Sequence, residues 1–348
     1  NVSMFSLNHY TGTDRKFKHG FHCCFCVLLF FFLPFNLFLW YHSNNLNCER
    51  KGNSMYELIQ AGPRSFYINS TVKIGVYLID DEKVCLIDSG NDKDAGRKVR
   101  QILEREKWSL YAIINTHSNA DHIGGNKYLM QQTGCRIYAS SMEAAFTRHP
   151  ILEPAFLYGG YPFKDLRHKF LMAQESDVSD VSRLSEDQLL KDLELIPLPG
   201  HFFQMIGIRT PDDTVFLADC LSSRATLEKY RVSFIYDVAA YLETLDKVAS
   251  MKANLFVPAH AEVSYNVAAL ASYNRDCVME IKDLLLELCR VPRTFETLLK
   301  EVFDHYGLVM TFQQHVLVGS TIRSYLSWLK DMGEMEAYIE ENCLYWRS

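Results

Sequence analysis

The chain has 348 residues, of which 48% are apolar and 22% charged, with a formal net charge of −6 at neutral pH. That length suits two or three domains with sizeable cores, and the composition excludes a wholly disordered chain. The acidic balance argues against a general nucleic-acid binder, and ten cysteines are too sparse for a disulfide scaffold.

These averages conceal a split near residue 54. Residues 1–54 hold four of the cysteines and nine of the 22 phenylalanines, with five basic residues against two acidic ones. The segment is therefore +3 and the remainder −9. Phe21–Tyr41 is almost wholly apolar and about long enough to cross a bilayer as a helix. Arg15, Lys16 and Lys18 before it suit a signal-anchor with its N-terminus inside, and no small-residue cleavage site follows. A second reading needs no membrane. The residues are those of T-rich and A-rich codons, and Glu49-Arg50-Lys51-Gly52 would be encoded by a purine run placed where a bacterial ribosome-binding site precedes Met55. On that reading the segment is a translated leader and the protein is bacterial and cytoplasmic; on the other it is membrane-anchored through residues 21–41. Both readings leave residues 1–54 outside the fold.

From residue 66 short apolar strands alternate with amphipathic helices. Phe66–Asn69, Lys73–Asp80 and Val84–Asp88 read as strands rich in Val, Ile and Tyr. Ser89-Gly90-Asn91-Asp92 breaks the last of these and caps a helix over about 95–107, with Val99, Ile102 and Leu103 on one face. Tyr111–Thr116 opens with a continuous apolar run, Tyr111–Ile114, as expected of a strand buried on both faces. A polar cluster, His117–His122, follows, then Gly124-Gly125, a helix ending near Gly134, and a strand at Arg136–Ala139. Residues 141–190, with three prolines and Gly159-Gly160, read as an insertion or lid. Strands resume at Leu193–Pro197, Met205–Thr210, Val215–Asp219 and Leu255–Pro258, with helices over Phe234–Met251 and Asn266–Cys289. Beyond Pro292 the pattern predicts three short helices and a hairpin at Glu336–Trp346.

Six His and Asp residues fall at the ends of these strands: His117, Asp121 and His122 after Tyr111–Thr116, His201 after a Pro-Gly turn, Asp219 closing Val215–Ala218, and His260 closing Leu255–Pro258. Side chains in such places commonly project from one edge of a sheet, and imidazole with carboxylate suits zinc.

Thr116-His117-Ser118-Asn119-Ala120-Asp121-His122-Ile123-Gly124-Gly125 closely resembles the metal-binding signature of the metallo-β-lactamase fold, His-x-His-x-Asp-His followed by Gly-Gly. Leu86-Ile87-Asp88-Ser89-Gly90, Pro199-Gly200-His201, Leu217-Ala218-Asp219 and Pro258-Ala259-His260 resemble the supporting motifs, in order. The resemblance is to hydroxyacylglutathione-hydrolase-like metallo-hydrolases. It implies an α/β fold, a four-layer αβ/βα sandwich over residues 55–290, with the metal site at one edge of two sheets. By resemblance His117 and His201 serve a first metal position, Asp121, His122 and His260 a second, and Asp219 bridges them. Asp88 resembles the carboxylate that orients the His-rich loop without binding metal.

One position departs from the pattern. Asn119 stands where the middle His is expected, and an amide oxygen is a weaker zinc ligand than imidazole. The expectation is one firmly bound zinc and a second held weakly, with Asn119 a candidate weak ligand. Asn in place of the Glu found in di-iron members also argues against an oxygen-reducing di-iron protein.

The function expected is a zinc-dependent hydrolase acting on a small ester, thioester or lactone, with Asp121 or Asp219 orienting the attacking water and taking its proton. The alternatives are a phosphodiesterase or nuclease of the same fold, and a non-catalytic regulatory binding protein. The last would use residues 293–348, which resemble a winged helix, but the stretch Gly319–Met332 offers only Arg323 and Lys330 and makes a poor footprint for phosphates. That region is expected to pack, to border the cleft and to be the surface of any homodimer. The partner expected is thus a small molecule rather than nucleic acid, with a membrane involved only through residues 21–41. Tyr158 and Tyr161 are candidate cleft residues, Lys164, Arg167, His168 and Lys169 a candidate anion patch, and Cys220 a small buried residue.

Overall fold

The computed structural model describes residues 55–348, so the apolar run 21–41 and the membrane expectation attached to it lie outside the described residues. Seven strands pair in chain order: β1 (Glu57–Gln60), β2 (Ser65–Asn69), β3 (Ile74–Leu78), β4 (Lys83–Ile87), β5 (Ser109–Ile114), β6 (Arg136–Ala139) and β7 (Ser179–Asp180). β1 to β4 run antiparallel and β4 to β7 parallel. Parallel neighbours need crossover connections. Helix α1 (Lys93–Arg105) joins β4 to β5, and α2 (Ala120–Ile123) with α3 (Asn126–Thr133) joins β5 to β6. α1 starts where the Asp92 carboxylate accepts from Ala95 N–H at 2.9 Å. α3 stops at Gly134, whose φ of 71° is the left-handed terminator that glycine adopts without strain.

The second sheet has the order β11–β10–β9–β8, from β8 (Glu194–Pro197), β9 (Ile206–Arg209), β10 (Thr214–Ser222) and β11 (Leu255–His260). Alternation along the strands sorts the core into layers. Val84, Leu86 and Ile137 meet Val99, Ile102, Leu103 and Leu129 on the outside of the first sheet. Cys85, Ile87, Ala112 and Ile114 point inward to Ile206, Ile208, Phe216 and Val257 of the second. On the outer face of that second sheet, Val215 and Leu217 pack with α7 (Val238–Ser250) and α8 (Ala268–Leu288). Each large aliphatic side chain so buried is worth about 1.5–3 kcal/mol. Helix, sheet, sheet, helix is the four-layer sandwich the motifs implied.

Between β6 and β7 lie α4 (Ser141–Arg148), α5 (Leu152–Tyr158) and a 3-10 turn at Lys164–Leu166. This stretch, read as an insertion, carries buried side chains of its own: Phe146, Leu157, Leu166 and Leu171. A short helix, α6 (Arg224–Tyr230), follows β10. The C-terminal region differs from expectation. It has two helices after Pro292, α9 (Phe295–Tyr306) and α10 (Phe312–Asp331), not three. Gly319, which suggested a new start, lies inside α10 and faces Phe295 and Leu299 of α9. Burial of Val318, Ile322, Tyr325 and Leu326 along α10 outweighs the roughly 1 kcal/mol that an interior glycine costs a helix. β12 (Arg293–Thr294), β14 (Cys343–Arg347) and β13 (Glu336–Glu340) form a small sheet in that order. The apolar side chains of α9 and α10 join the same buried cluster as α7 and α8.

No helix among the described residues is long and apolar enough to cross a membrane.

Candidate metal centre

The C-terminal ends of β4 and β5 build the first half of the site. β4 runs out at Asp88, which has a φ of +65°. Asp tolerates that left-handed region better than most residues, and the turn aims its carboxylate back across the sheet. There it accepts three hydrogen bonds: from Thr116 N–H (2.8 Å), the Thr116 hydroxyl (2.7 Å) and His122 Nδ1 (2.7 Å). The Thr116 hydroxyl, having given its proton to Asp88, accepts from His117 Nδ1 at 3.0 Å. One buried carboxylate thus engages the Nδ1 side of two histidines, directly for His122 and through Thr116 for His117, and turns both Nε2 atoms toward the site. Gly124 and Gly125 let the ligand loop lie against the loop after β4. A Cβ on Gly124 would meet the Asn91 carbonyl carbon at 2.3 Å, and one on Gly125 the Ser89 oxygen at 2.3 Å.

The second sheet supplies the rest. His201 follows Gly200, whose φ is +116° and whose Cβ would sit 2.3 Å from Tyr241 N; only glycine lets this turn tuck under α7. Asp219 was expected at a strand end but lies inside β10. Ala218, at φ +51°, pairs with Pro258 of β11 between two register shifts, and this irregularity turns Asp219 into the site. His260 is the last residue of β11.

The six expected ligands meet. His122 Nε2 lies 3.0 Å from Asp219 Oδ1, and His260 Nε2 lies 3.2 Å from Asp219 Oδ2 and 3.3 Å from Asp121 Oδ2. His201 Nε2 is 3.7 Å from Asp219 Oδ2. Ligand atoms of His117, His122 and Asp219 all fall within 4.8 Å of one another, as do those of Asp121, His122 and His260. His117 Nε2 is buried without a hydrogen-bond partner, and His122 Nε2 and Asp219 Oδ1, 3.0 Å apart, have no partner beyond each other. An unpaired buried polar atom is costly, and a His117 nitrogen facing a close His–Asp pair fits a cation.

Charge sharpens that fit. Burial holds His117 well below and His201 below the ordinary imidazole range, so both are neutral donors. Burial also pushes His122 and His260 down, but the surrounding carboxylates, Asp219 foremost, outweigh it and lift His260 to about 10 and His122 well above its usual value. Asp121 and Asp219 are raised by burial and lowered further by His122 and His260, which leaves both ionised. A divalent cation would replace those imidazolium protons as the counter-charge.

Two acidic residues that strand-end reasoning missed support the loop from outside. Glu143 on α4 is fully buried and accepts from Ser118 N–H (3.0 Å), the Ser118 hydroxyl (2.7 Å) and Gln204 N–H (2.7 Å). It ties the His117 loop to the His201 turn. Glu153 on α5 accepts from the Asn119 amide at 2.9 Å, while Asn119 Oδ1 lies 3.1 Å from His201 Nε2. Burial, then Asp121, push Glu153 well above the usual carboxylate range. The only local hint in sequence is two glutamates in a stretch otherwise short of pattern.

A cleft of about 440 Å³ opens beside His201, Asp219 and His260, and α10 closes its far wall with Gln314, Leu317 and Val318. Tyr158 and Tyr161 do not line it and are 46% and 73% exposed. Nor do the candidate anion-binding residues: Lys169 pairs with Asp92 at 2.9 Å, and Arg167 donates to the Tyr161 hydroxyl. Cys220 is fully buried, as expected.

Comparison with known proteins agrees with this geometry. The family model of the metallo-beta-lactamase superfamily matches residues 74–260. A beta-lactamase-like protein 2 homolog from Drosophila melanogaster is 22% identical over 62% of this chain and 66% of its own length. A hydroxyacylglutathione hydrolase from Rhodopseudomonas palustris is 32% identical over 42% of this chain and 48% of its own. The chain thus spans about half to two thirds of these curated relatives. A beta-lactamase domain protein from Burkholderia ambifaria shares the fold with a TM-score of 0.61 at 14% identity, covering 84% of this chain and 94% of that one. A metallo-beta-lactamase family protein from Thermus thermophilus gives 0.60 at 16%, over 85% and 98%. With the ordered motifs, the sandwich and the converging His and Asp side chains all in agreement with the matched region, the chain belongs to the metallo-beta-lactamase superfamily.

Proposed function

We propose that the chain is a zinc-dependent hydrolase of small esters, thioesters or lactones. The observation that carries this reading is the convergence of six His and Asp side chains at the edge of the two sheets, with the buried His117 Nε2 left unpaired. His117, His201 and Asp219, with Asn119 as a weak fourth, would hold one ion, and Asp121, His122, His260 and Asp219 the other. Imidazole and carboxylate in this number suit zinc.

Zinc, when bound, would acidify a water from a pKa of about 15.7 to about 7 and polarise a carbonyl oxygen. The chain's own residues do the rest. Asp121 stands part-exposed at the mouth of the site, where its carboxylate can take the proton of the attacking water. Asp219, buried beneath, orients that water by accepting a hydrogen bond. Leu221, Val232, Phe234, Leu317 and Val318 line the cleft and exclude competing water.

The lining of the cleft favours a carboxylic ester or thioester over a phosphate ester. Neither Lys nor Arg lines it, whereas recognition of phosphate normally uses such cations. The thioester option is supported by the named activity of the Rhodopseudomonas relative. The test is metal analysis of the purified full chain, followed by turnover of matched esters, thioesters, lactones and phosphodiesters. Zinc with acyl-ester or thioester turnover is the expected result; activity confined to phosphodiesters refutes the substrate reading.

A further inference from the structure

The departure at Asn119 comes with its own support. His201 donates Nδ1–H to the Phe234 carbonyl oxygen at 3.0 Å, so the lone pair of the neutral ring sits on Nε2. Asn119 Oδ1 lies 3.1 Å from that nitrogen. Both atoms are then acceptors, and two lone pairs facing at this distance repel unless a cation binds both. The two ends of an asparagine amide are almost the same size, so sterics alone do not decide which end faces His201. The decision is made on the other side. Asn119 Nδ2 donates to Glu153 Oε1 at 2.9 Å, and Glu153 is only 5% exposed, anchored on α5.

We infer that Glu153 is a positioning residue: by accepting from the NH₂ end of Asn119 it holds the amide oxygen toward the first metal position, which is completed as His117, Asn119, His201 and Asp219. This rests on the metal-site reading above and adds to it a residue outside the family motif. An amide that must be oriented to act as a ligand needs such a partner, whereas an imidazole in its place would not need this one. Supports of this kind typically alter metal affinity by about 10–100-fold when removed.

The experiment is calorimetric titration of the metal-stripped full chain with zinc chloride, alongside thermal unfolding of each metal-free variant. The wild type should show a tight event and a weaker one. Glu153→Leu should weaken the weaker event by about 10–100-fold and leave the tight one unchanged. Glu153→Gln, whose amide oxygen can accept the same bond, should keep wild-type affinity. Asn119→Ala should lose as much as Glu153→Leu, and the double variant no more than either. If Glu153→Leu does not fold, Glu153→Met takes its place, and wild-type affinity in Asn119→Ala still overturns the inference by itself. Wild-type affinity in Glu153→Leu or Asn119→Ala overturns the inference, as does equal weakening of both events, which marks a merely structural role. A wild type with a single event also overturns it, by removing the position concerned. A wild type that binds no zinc overturns the metal reading of the whole site and this inference with it.

Discussion

Asp88→Asn isolates what the buried carboxylate does for the ligand loop. Asparagine fits the same volume and tolerates the left-handed backbone at this position, so backbone strain does not enter. Asp88 Oδ2 accepts from both the Thr116 hydroxyl and His122 Nδ1, and Oδ1 accepts from Thr116 N–H. An amide has one oxygen. If that oxygen replaces Oδ2, the NH₂ group faces the Thr116 N–H, donor against donor; if it replaces Oδ1, two donors are stranded. At least one buried donor loses its acceptor, which costs about 1–3 kcal/mol of stability. His122 also loses the charged acceptor that fixes its tautomer, so metal affinity should fall about 10–100-fold. Urea unfolding of the metal-free protein reads the first effect, and zinc titration the second. Wild-type stability together with wild-type zinc affinity in Asp88→Asn would refute the assignment of Asp88 as the organiser of the loop.

Other perturbations test separate parts of the molecule. Asp121→Ala should lower kcat by about 10²–10⁴-fold if its carboxylate moves the proton; unchanged turnover in a steady-state assay counts against that role. Gly124→Ala would place its Cβ 2.3 Å from the Asn91 carbonyl carbon, and overpacking of this kind costs about 1–3 kcal/mol, read as a lower urea midpoint. Asp212 links the sheets: it accepts from Ser65 Oγ (2.6 Å), Thr210 Oγ1 (2.5 Å) and Arg64 N–H (2.8 Å). Burial pushes its carboxyl up, but these donors outweigh it and hold the folded value below the ordinary 3.8. Its contribution is therefore present in full above the unfolded value and lost as pH falls through the folded one. The stability gap between wild type and Asp212→Asn should be constant near neutrality and shrink at strongly acidic pH; a gap that widens there contradicts the sign.

Much of the site was legible because metal chemistry writes itself locally. His117, Asp121 and His122 fall within six residues, and His201 and His260 follow strands whose apolar runs are plain. A ligand motif at a strand end needs no knowledge of the far side of the molecule. The orienting role of Asp88 was expected by resemblance, and in the structure its carboxylate accepts three hydrogen bonds from Thr116 and His122. What strand patterns could not carry were contacts between distant segments. Glu143 and Glu153 reach Ser118 and Asn119 from 25 and 34 residues away. They sit on helices too short, at eight and seven residues, to show a convincing period. β1 and β7, four and two residues long, are likewise below the length at which alternation is readable.

The sequence by itself determined most of the longer strands and helices and the strand-end His and Asp residues, because period-2 and period-3.6 patterns and strand-end motifs are properties of consecutive residues; the sandwich and the ligand roles came from the resemblance to a known family. Tertiary structure decided three other things. It showed that Asp219 enters the site from inside a strand, through the left-handed Ala218. It showed that α10 runs unbroken past Gly319 and walls the cleft, because packing against α9 outweighs the local glycine cost. And it joined Asn119 to Glu153 and His201, an arrangement that depends on which side chains fold together across the chain rather than on any spacing along it.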